Sequence, residues 1–342
     1  MCESGLATGK MDGAISGLIV PMLTPLTMER RVDGPCARRL ARRLIESGVD
    51  GLFLLGSCGE GPSLAEADRR EMMESVSAEA GDRVRLMIGV SESSTDRAIR
   101  VAGAAEDAGA DAVVSTFPHY YAAASQQEVE AHFRALSDAV ALPVIAYNIP
   151  QMAKSVIEPD TACRLARAGA IIGIKDSSGD WARFQQMLFA KRATPGFRVF
   201  QGEEKLLAVS LLSGADGVVP ATANLAPRLF TCLMDVARNG DPDLAFQLQE
   251  QISELTGLYS MGIHWLAGLK AAASMLELCG KTVCRPICEA DDAALAEIRR
   301  RFLPILKDPL GGLVPEHVVA NLPTGDEIAP GSSTRGRGEA RV

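Results

Sequence analysis

The chain has 342 residues, enough for one large domain or two of roughly 100–200 residues each. Its 47 % hydrophobic and 23 % charged residues can build a buried core, which excludes wholesale disorder. Lys and Arg total 35 against 43 Asp and Glu, a net charge of −8 that lacks the basic footprint of a nucleic-acid binder.

Residues 1–14 read as a flexible N-terminal segment without the basic-then-apolar pattern of a signal peptide. From 15 to 238, short apolar runs alternate with longer amphipathic stretches. The runs are ISGLIVPML (15–23), GLFLLG (51–56), RLMIGV (85–90), AVVST (112–116), PVIAYNI (143–149), IIGIKD (171–176), RVFQG (198–202) and GVVPA (217–221). Helical patterns such as PCARRLARRLIESG and STDRAIRVAGAAEDAG separate them. Continuous apolar strands alternating with helices imply a parallel sheet covered on both faces. Eight units in about 220 residues predict an α/β fold of the closed (β/α)8 TIM-barrel kind. An open doubly wound sheet would carry a Gly-rich phosphate turn after its first strand, where this chain has PMLTPLTMERRVDG. The repeated segments SGVDG (47–51), AGADA (108–112) and SGADG (213–217), with RAGAI (167–171) as a weaker copy, each end a helix with Gly before a strand.

Beyond the barrel, 239–310 reads as a helical appendage: DLAFQLQEQISELTGLYS, HWLAGLKAAASMLELCG and DDAALAEIRRRFLPIL. The tail, 311–342, is polar and Gly/Ser-rich, and is expected to be mostly disordered. No apolar run reaches the ~20 residues of a membrane span. Eight scattered cysteines suggest reduced thiols in a cytoplasmic protein rather than a disulfide framework.

Barrel enzymes place their chemistry at the C-terminal ends of the strands. Those ends here are Thr24, the loop Gly56-Ser57-Cys58-Gly59-Glu60-Gly61-Pro62, Phe117-Pro118-His119-Tyr120-Tyr121, Tyr147-Asn148-Ile149-Pro150, Lys175-Asp176 and Gly202-Glu203-Glu204-Lys205. Lys175 ends an uninterrupted apolar strand, where desolvation disfavours an ammonium. A neutral amine can attack a ketone and form a Schiff base, which withdraws electrons from the neighbouring carbon. The plainer reading is a solvated lysine, or one paired with Asp176. Lys205, after two acidic residues, is a weaker candidate. Tyr147 on the adjacent strand is placed to relay protons, or else plugs the barrel top through a hydrogen bond to a carbonyl. In GSCGE, two glycines leave backbone N–H groups able to converge on an anion and Ser57 adds a hydroxyl, a site suited to the carboxylate of a 2-oxo acid.

Other constellations carry less. Cys279, Cys284 and Cys288 lie in a segment read as helical, without the close pairing zinc requires. His119, His132, His264 and His317 have no ligand spacing, and His132 reads as packed or solvated within a helix. No metal and no organic cofactor is called for. The region from GEEKLL to GVVPATAN lacks a Gly-rich phosphate loop, which disfavours a phosphorylated substrate.

On these residues the chain resembles the dihydrodipicolinate synthase / N-acetylneuraminate lyase family of class I pyruvate aldolases. The resemblance spans roughly residues 15–305 and rests on the ordered motifs Thr24-Pro25, GSCGE, YNIP, GIKD and GADGVVPATAN. It implies Lys175 as the imine-forming lysine, Tyr147 as the proton relay, and Ser57 with Cys58 as the carboxylate-binding pair. It also implies that Tyr120, or Tyr121, reaches a neighbouring subunit's site, and hence a homo-oligomer, a dimer or tetramer. Val219, Met152, Glu204 and Lys205 fall at positions facing substrate. Met152 stands where the family's synthases carry an arginine for the carboxylate of aspartate semialdehyde, and Glu204 and Lys205 replace the sugar-binding acidic pair of the lyases. The polar positions of the lysine feedback site become Glu66, Ser93 and Arg97. The resulting expectation is a Schiff-base lyase or aldolase acting on pyruvate or a related 2-oxo acid with an aldehyde partner. The alternatives are 4-hydroxy-tetrahydrodipicolinate synthase, a 2-oxo-3-deoxy sugar acid dehydratase, or a non-catalytic 2-oxo-acid-binding scaffold.

Overall fold

The structure, a computed structural model, describes residues 15–313. The segment 1–14 and nearly all of the tail 311–342, both expected to be disordered, therefore lie outside the described residues. Eight parallel strands close into a barrel in sequence order. They are β1 (Gly17–Pro21), β2 (Gly51–Leu54), β3 (Arg85–Gly89), β4 (Ala112–Ser115), β5 (Val144–Asn148), β6 (Gly173–Asp176), β7 (Arg198–Gln201) and β8 (Gly217–Val218). Each lies within an apolar run identified above. The outer layer is α1 (Gly34–Glu46), α2 (Glu66–Ala80), α3 (Thr95–Asp107), α4 (Gln126–Ala139), the single turn α5 (Pro150–Ala153), α6 (Pro159–Arg167), α7 (Trp181–Arg192), α8 (Leu207–Leu212) and α9 (Pro227–Arg238). Then come α10 (Pro242–Leu255), α11 (Trp265–Met275), α12 (Asp292–Arg301) and α13 (Leu303–Lys307).

Side-chain alternation separates two cores. The inner one fills the barrel with Ile19, Phe53, Met87, Val114, Ile145, Tyr147, Phe200 and Val219. The outer one packs the opposite strand faces against the helices. Helix starts are set by side-chain caps: Asp33 accepts the Cys36 N–H, and Asp241 that of Leu244. The repeated Gly-x-Asp turns have a common mechanical role. Asp50, Asp111 and Asp216, each just before a strand, accept the backbone N–H of Leu18, Leu86 and Val199 on the preceding strand. These bonds fasten β1 to β2, β3 to β4 and β7 to β8 at the barrel floor. The weaker fourth copy has Ile171 at the corresponding position and no such latch.

Two helical expectations need correction. The stretch 291–306 is not one helix: it breaks at Phe302, because Pro304 in the first turn of α13 has no N–H to continue the ladder. The segment carrying Cys279, Cys284 and Cys288 is irregular rather than helical, interrupted by Gly280 and Pro286. Among the described residues no group of three or more His, Cys, Asp or Glu could hold a metal ion. No helix among them is long and apolar enough to cross a membrane.

His132 is packed, 3 % exposed on α4. Its Nδ1 faces Thr95 Oγ1 at 3.0 Å and its Nε2 faces Ser115 Oγ at 3.3 Å, while Ser115 donates to Thr116 O. A neutral ring satisfies this set, and burial pushes its pKa from 6.5 down to about 4. The unfolded chain binds this proton near pH 6.5 and the folded one only near 4, so acidification through that window favours unfolding. Urea unfolding should lose about 2 kcal/mol of stability from this group between about pH 7 and about pH 5. A His132→Gln protein should lack that increment; an equal acid loss in both proteins contradicts the assignment.

Candidate active site

The β5–β6 register sets Tyr147 opposite Lys175 and Asn148 opposite Asp176. Because successive side chains on a strand alternate in direction, the first pair turns into the barrel and the second outward. Asp176 accepts from Asn148 Nδ2 at 3.0 Å and from the Ser178 N–H at 2.8 Å, while Asn148 Oδ1 accepts the Ile157 N–H at 3.0 Å. This outer network ties down the loops that follow both strands. Burial pushes the Asp176 carboxyl up, and the bonds from Ser178 and Asn148 work against that. Pairing of Lys175 with Asp176 is thereby excluded in this arrangement.

Lys175 is 6 % exposed, and among the described residues its amine makes no ion pair or hydrogen bond. Its Nζ sits 3.9 Å from the centroid of the Tyr147 ring and 5.0 Å from that of Phe53. The two rings meet edge to face at 6.3 Å. The Tyr147 hydroxyl has no hydrogen-bond partner among the described residues, so the reading of a tyrosine fixed to a carbonyl does not apply. A Cβ at Gly202 would lie 3.0 Å from Lys175 Cε and 2.1 Å from Ser177 Oγ, so a side chain there would press on both.

The loop after β2 reaches the same mouth by folding back on itself. Leu55 and Glu60 both take the left-handed backbone conformation, with φ of 57°, and a Cβ on Gly61 would fall 1.9 Å from Leu55 O. Thr24 Oγ1 donates to Gly59 O at 2.6 Å from the end of β1. The backbone N–H groups of Ser57, Cys58 and Gly59 make no hydrogen bond among the described residues, nor does the Ser57 hydroxyl. Those donors are available to an anion. Beneath the loop, Glu60 Oε1 meets Lys270 Nζ at 2.5 Å, both side chains essentially inaccessible to solvent. Glu60 Oε2 accepts the Cys284 N–H at 2.6 Å, and Lys270 also donates to Thr282 O at 2.7 Å.

A cavity of about 260 Å³ opens beside Tyr147. Its wall comprises Ser57, Glu60, Ser91, Thr116, His119, Met152 and Ala153, together with His264, Trp265, Leu266 and Ile287 from the C-terminal region. Of the residues expected at the site, Ser57, Tyr147 and Met152 line this cavity, and Lys175, not itself part of the wall, packs on the Tyr147 ring. Val219 is buried in the barrel interior. The Cys58 side chain turns away: it is buried with Sγ 3.9 Å from Asn224 Nδ2, and desolvation drives its thiol pKa strongly up. Only Ser57 of that pair therefore faces the cavity.

Glu204 is not available to a substrate in this arrangement. It is buried, and its carboxylate accepts from the Ala221 N–H, from both donors of Thr222 and from the Tyr259 hydroxyl. Burial pushes its pKa up against those bonds. Lys205 is exposed and does not line the cavity. Tyr120 and Tyr121, 68 % and 76 % exposed, pack edge to face on each other outside it. Sequence reasoning missed the contribution of α11 and Ile287, which come from far along the chain. It also missed Lys270, although a lysine within the apolar run LAGLKAAAS signals a buried charge needing a partner.

Fold and site together define a TIM-barrel enzyme with its cavity at the C-terminal ends of the strands. The Dihydrodipicolinate synthetase family profile matches residues 14–302, and the chain belongs to that family. It is accordingly a carbon–carbon lyase of the class I aldolase type. It is 35 % identical over 271 residues to a 4-hydroxy-tetrahydrodipicolinate synthase of Streptomyces coelicolor, covering 79 % of this chain and 87 % of the relative. It is 30 % identical over 299 residues to an N-acetylneuraminate lyase of Salmonella agona, covering 87 % and 96 %. A solved dihydrodipicolinate synthase from Bacteroides thetaiotaomicron superposes with a TM-score of 0.80 at 34 % identity, over 84 % of this chain and 98 % of that one. A prophage protein of the same family from E. coli K12, solved in complex with pyruvate, gives 0.80 at 30 %, over 87 % and 98 %.

Proposed function

We propose that this protein makes or breaks a carbon–carbon bond between pyruvate, or a close 2-oxo acid, and an aldehyde, by way of an imine on Lys175. The observation that carries the reading is an uncommitted, buried amine against the ring of Tyr147 at the barrel mouth. The lysine amine adds to the ketone and water leaves. The protonated imine then acidifies the adjacent methyl group, and loss of a proton gives an enamine. Tyr147 accepts and returns protons, and Ser57 with the loop N–H groups holds the carboxylate. The family relative solved with pyruvate supports that choice of 2-oxo acid. Tyr120, exposed in one chain, acts only if a second copy brings it to a neighbouring mouth, which makes the active form a homo-oligomer. A second reading, 4-hydroxy-tetrahydrodipicolinate synthase, is favoured by the Streptomyces coelicolor relative.

In deuterium oxide the protein should exchange the methyl protons of pyruvate with no aldehyde present, as followed by proton NMR. This isolates enamine formation from the identity of the second substrate. Methyl signals that persist at the rate of the buffer control would contradict the proposal.

A further inference from the structure

Resting on the reading above, the further question is which aldehyde the cavity admits. Its apolar wall is formed by Met152 and Ala153 of α5, Trp265 and Leu266 of α11, and Ile287. No lysine or arginine lines the space. Its one carboxylate, Glu60, is neutralised from behind by Lys270 and adds no net charge. Beside Ser57 and Tyr147, the hydrogen-bonding side chains of the wall are Ser63, Ser91, Thr116, His119 and His264, and two of them are engaged. Ser91 Oγ accepts the Thr116 N–H at 3.0 Å, and His264 Nδ1 accepts the Leu266 N–H at 3.3 Å. In a neutral His264 ring Nε2 is then the nitrogen that carries the proton. Trp265 is held in place by edge-to-face contact with Tyr259 at 5.9 Å.

A carboxylated aldehyde would meet no lysine or arginine in this space, and a polyhydroxylated one would lose water against the apolar faces of Met152, Trp265, Leu266 and Ile287. The volume, about 260 Å³, is below the ~300–1,000 Å³ usual for ligand sites and suits a compact body. We infer that the second substrate is an uncharged aromatic aldehyde, its ring seated between Trp265 and Met152. The enamine carbon of Lys175-bound pyruvate bonds to the aldehyde carbon, and the carbonyl electron pair moves to oxygen, which takes a proton from Tyr147. Water then hydrolyses the imine, releasing the amine and a 4-aryl-4-hydroxy-2-oxobutanoate.

The test supplies pyruvate with benzaldehyde, glyceraldehyde or aspartate semialdehyde and follows pyruvate loss. Benzaldehyde should show a kcat/KM at least ~10-fold above the other two, and Trp265→Ala should raise its KM more than it lowers kcat. Met152→Arg should shift the preference toward aspartate semialdehyde. If pyruvate exchange in deuterium oxide proceeds but benzaldehyde is not consumed, or a charged or polyhydroxylated partner is preferred, this inference is overturned and the pyruvate chemistry stands. Absence of exchange overturns both.

Discussion

Lys175→Ala is expected to abolish pyruvate methyl exchange and to lower the rate of carbon–carbon bond chemistry by about 10⁴-fold or more, the scale of removing a covalent nucleophile. The reason is local. Lys175 is the lysine packed on Tyr147 of the cavity wall, and Lys205, the weaker candidate read from the sequence, is exposed and does not line the cavity. Stability should change little by comparison, because Lys175 makes no ion pair or hydrogen bond among the described residues whose loss would strand a partner. Proton NMR for exchange and urea unfolding for stability, on the same protein, separate the two effects. Exchange surviving in this variant would move the chemistry to another amine.

The largest stability effect should come from Lys270. Lys270→Met leaves the Glu60 carboxylate buried without its cation, a change expected to cost ~3–5 kcal/mol. Adding Glu60→Gln removes the stranded charge while a side-chain oxygen can still accept the Cys284 N–H. The double variant should therefore regain much of that loss in urea unfolding. Glu60 also closes the loop that holds Ser57, so the single variant should raise the KM for pyruvate as well. A double variant no more stable than Lys270→Met would show that the pair is not what fixes the loop.

The barrel was legible because each strand is a continuous apolar run and each Gly-x-Asp turn repeats a fixed chemical task at the barrel floor. The position of Lys175 and Tyr147 was legible for a related reason: a polar residue at the end of an apolar strand lies at the C-terminal mouth of the barrel, and the alternation along the strand turns these two inward. Cys58 and Glu204 were not legible. Their fate depends on Asn224, Thr222 and Tyr259, which reach them from the turn after β8 and the C-terminal region. Sequence adjacency put Cys58 beside Ser57, but the Cys58 side chain is buried toward Asn224 while Ser57 lines the cavity. The aromatic cavity wall was hidden for the same reason, since His264 and Trp265 are brought to the cavity that Met152 lines only by the tertiary packing of α11.

The most direct measurement is borohydride reduction in the presence of pyruvate, followed by peptide mapping. One stable adduct is expected, on Lys175, and it should disappear in Lys175→Ala. Labelling of a different lysine, or none, would contradict the imine on Lys175.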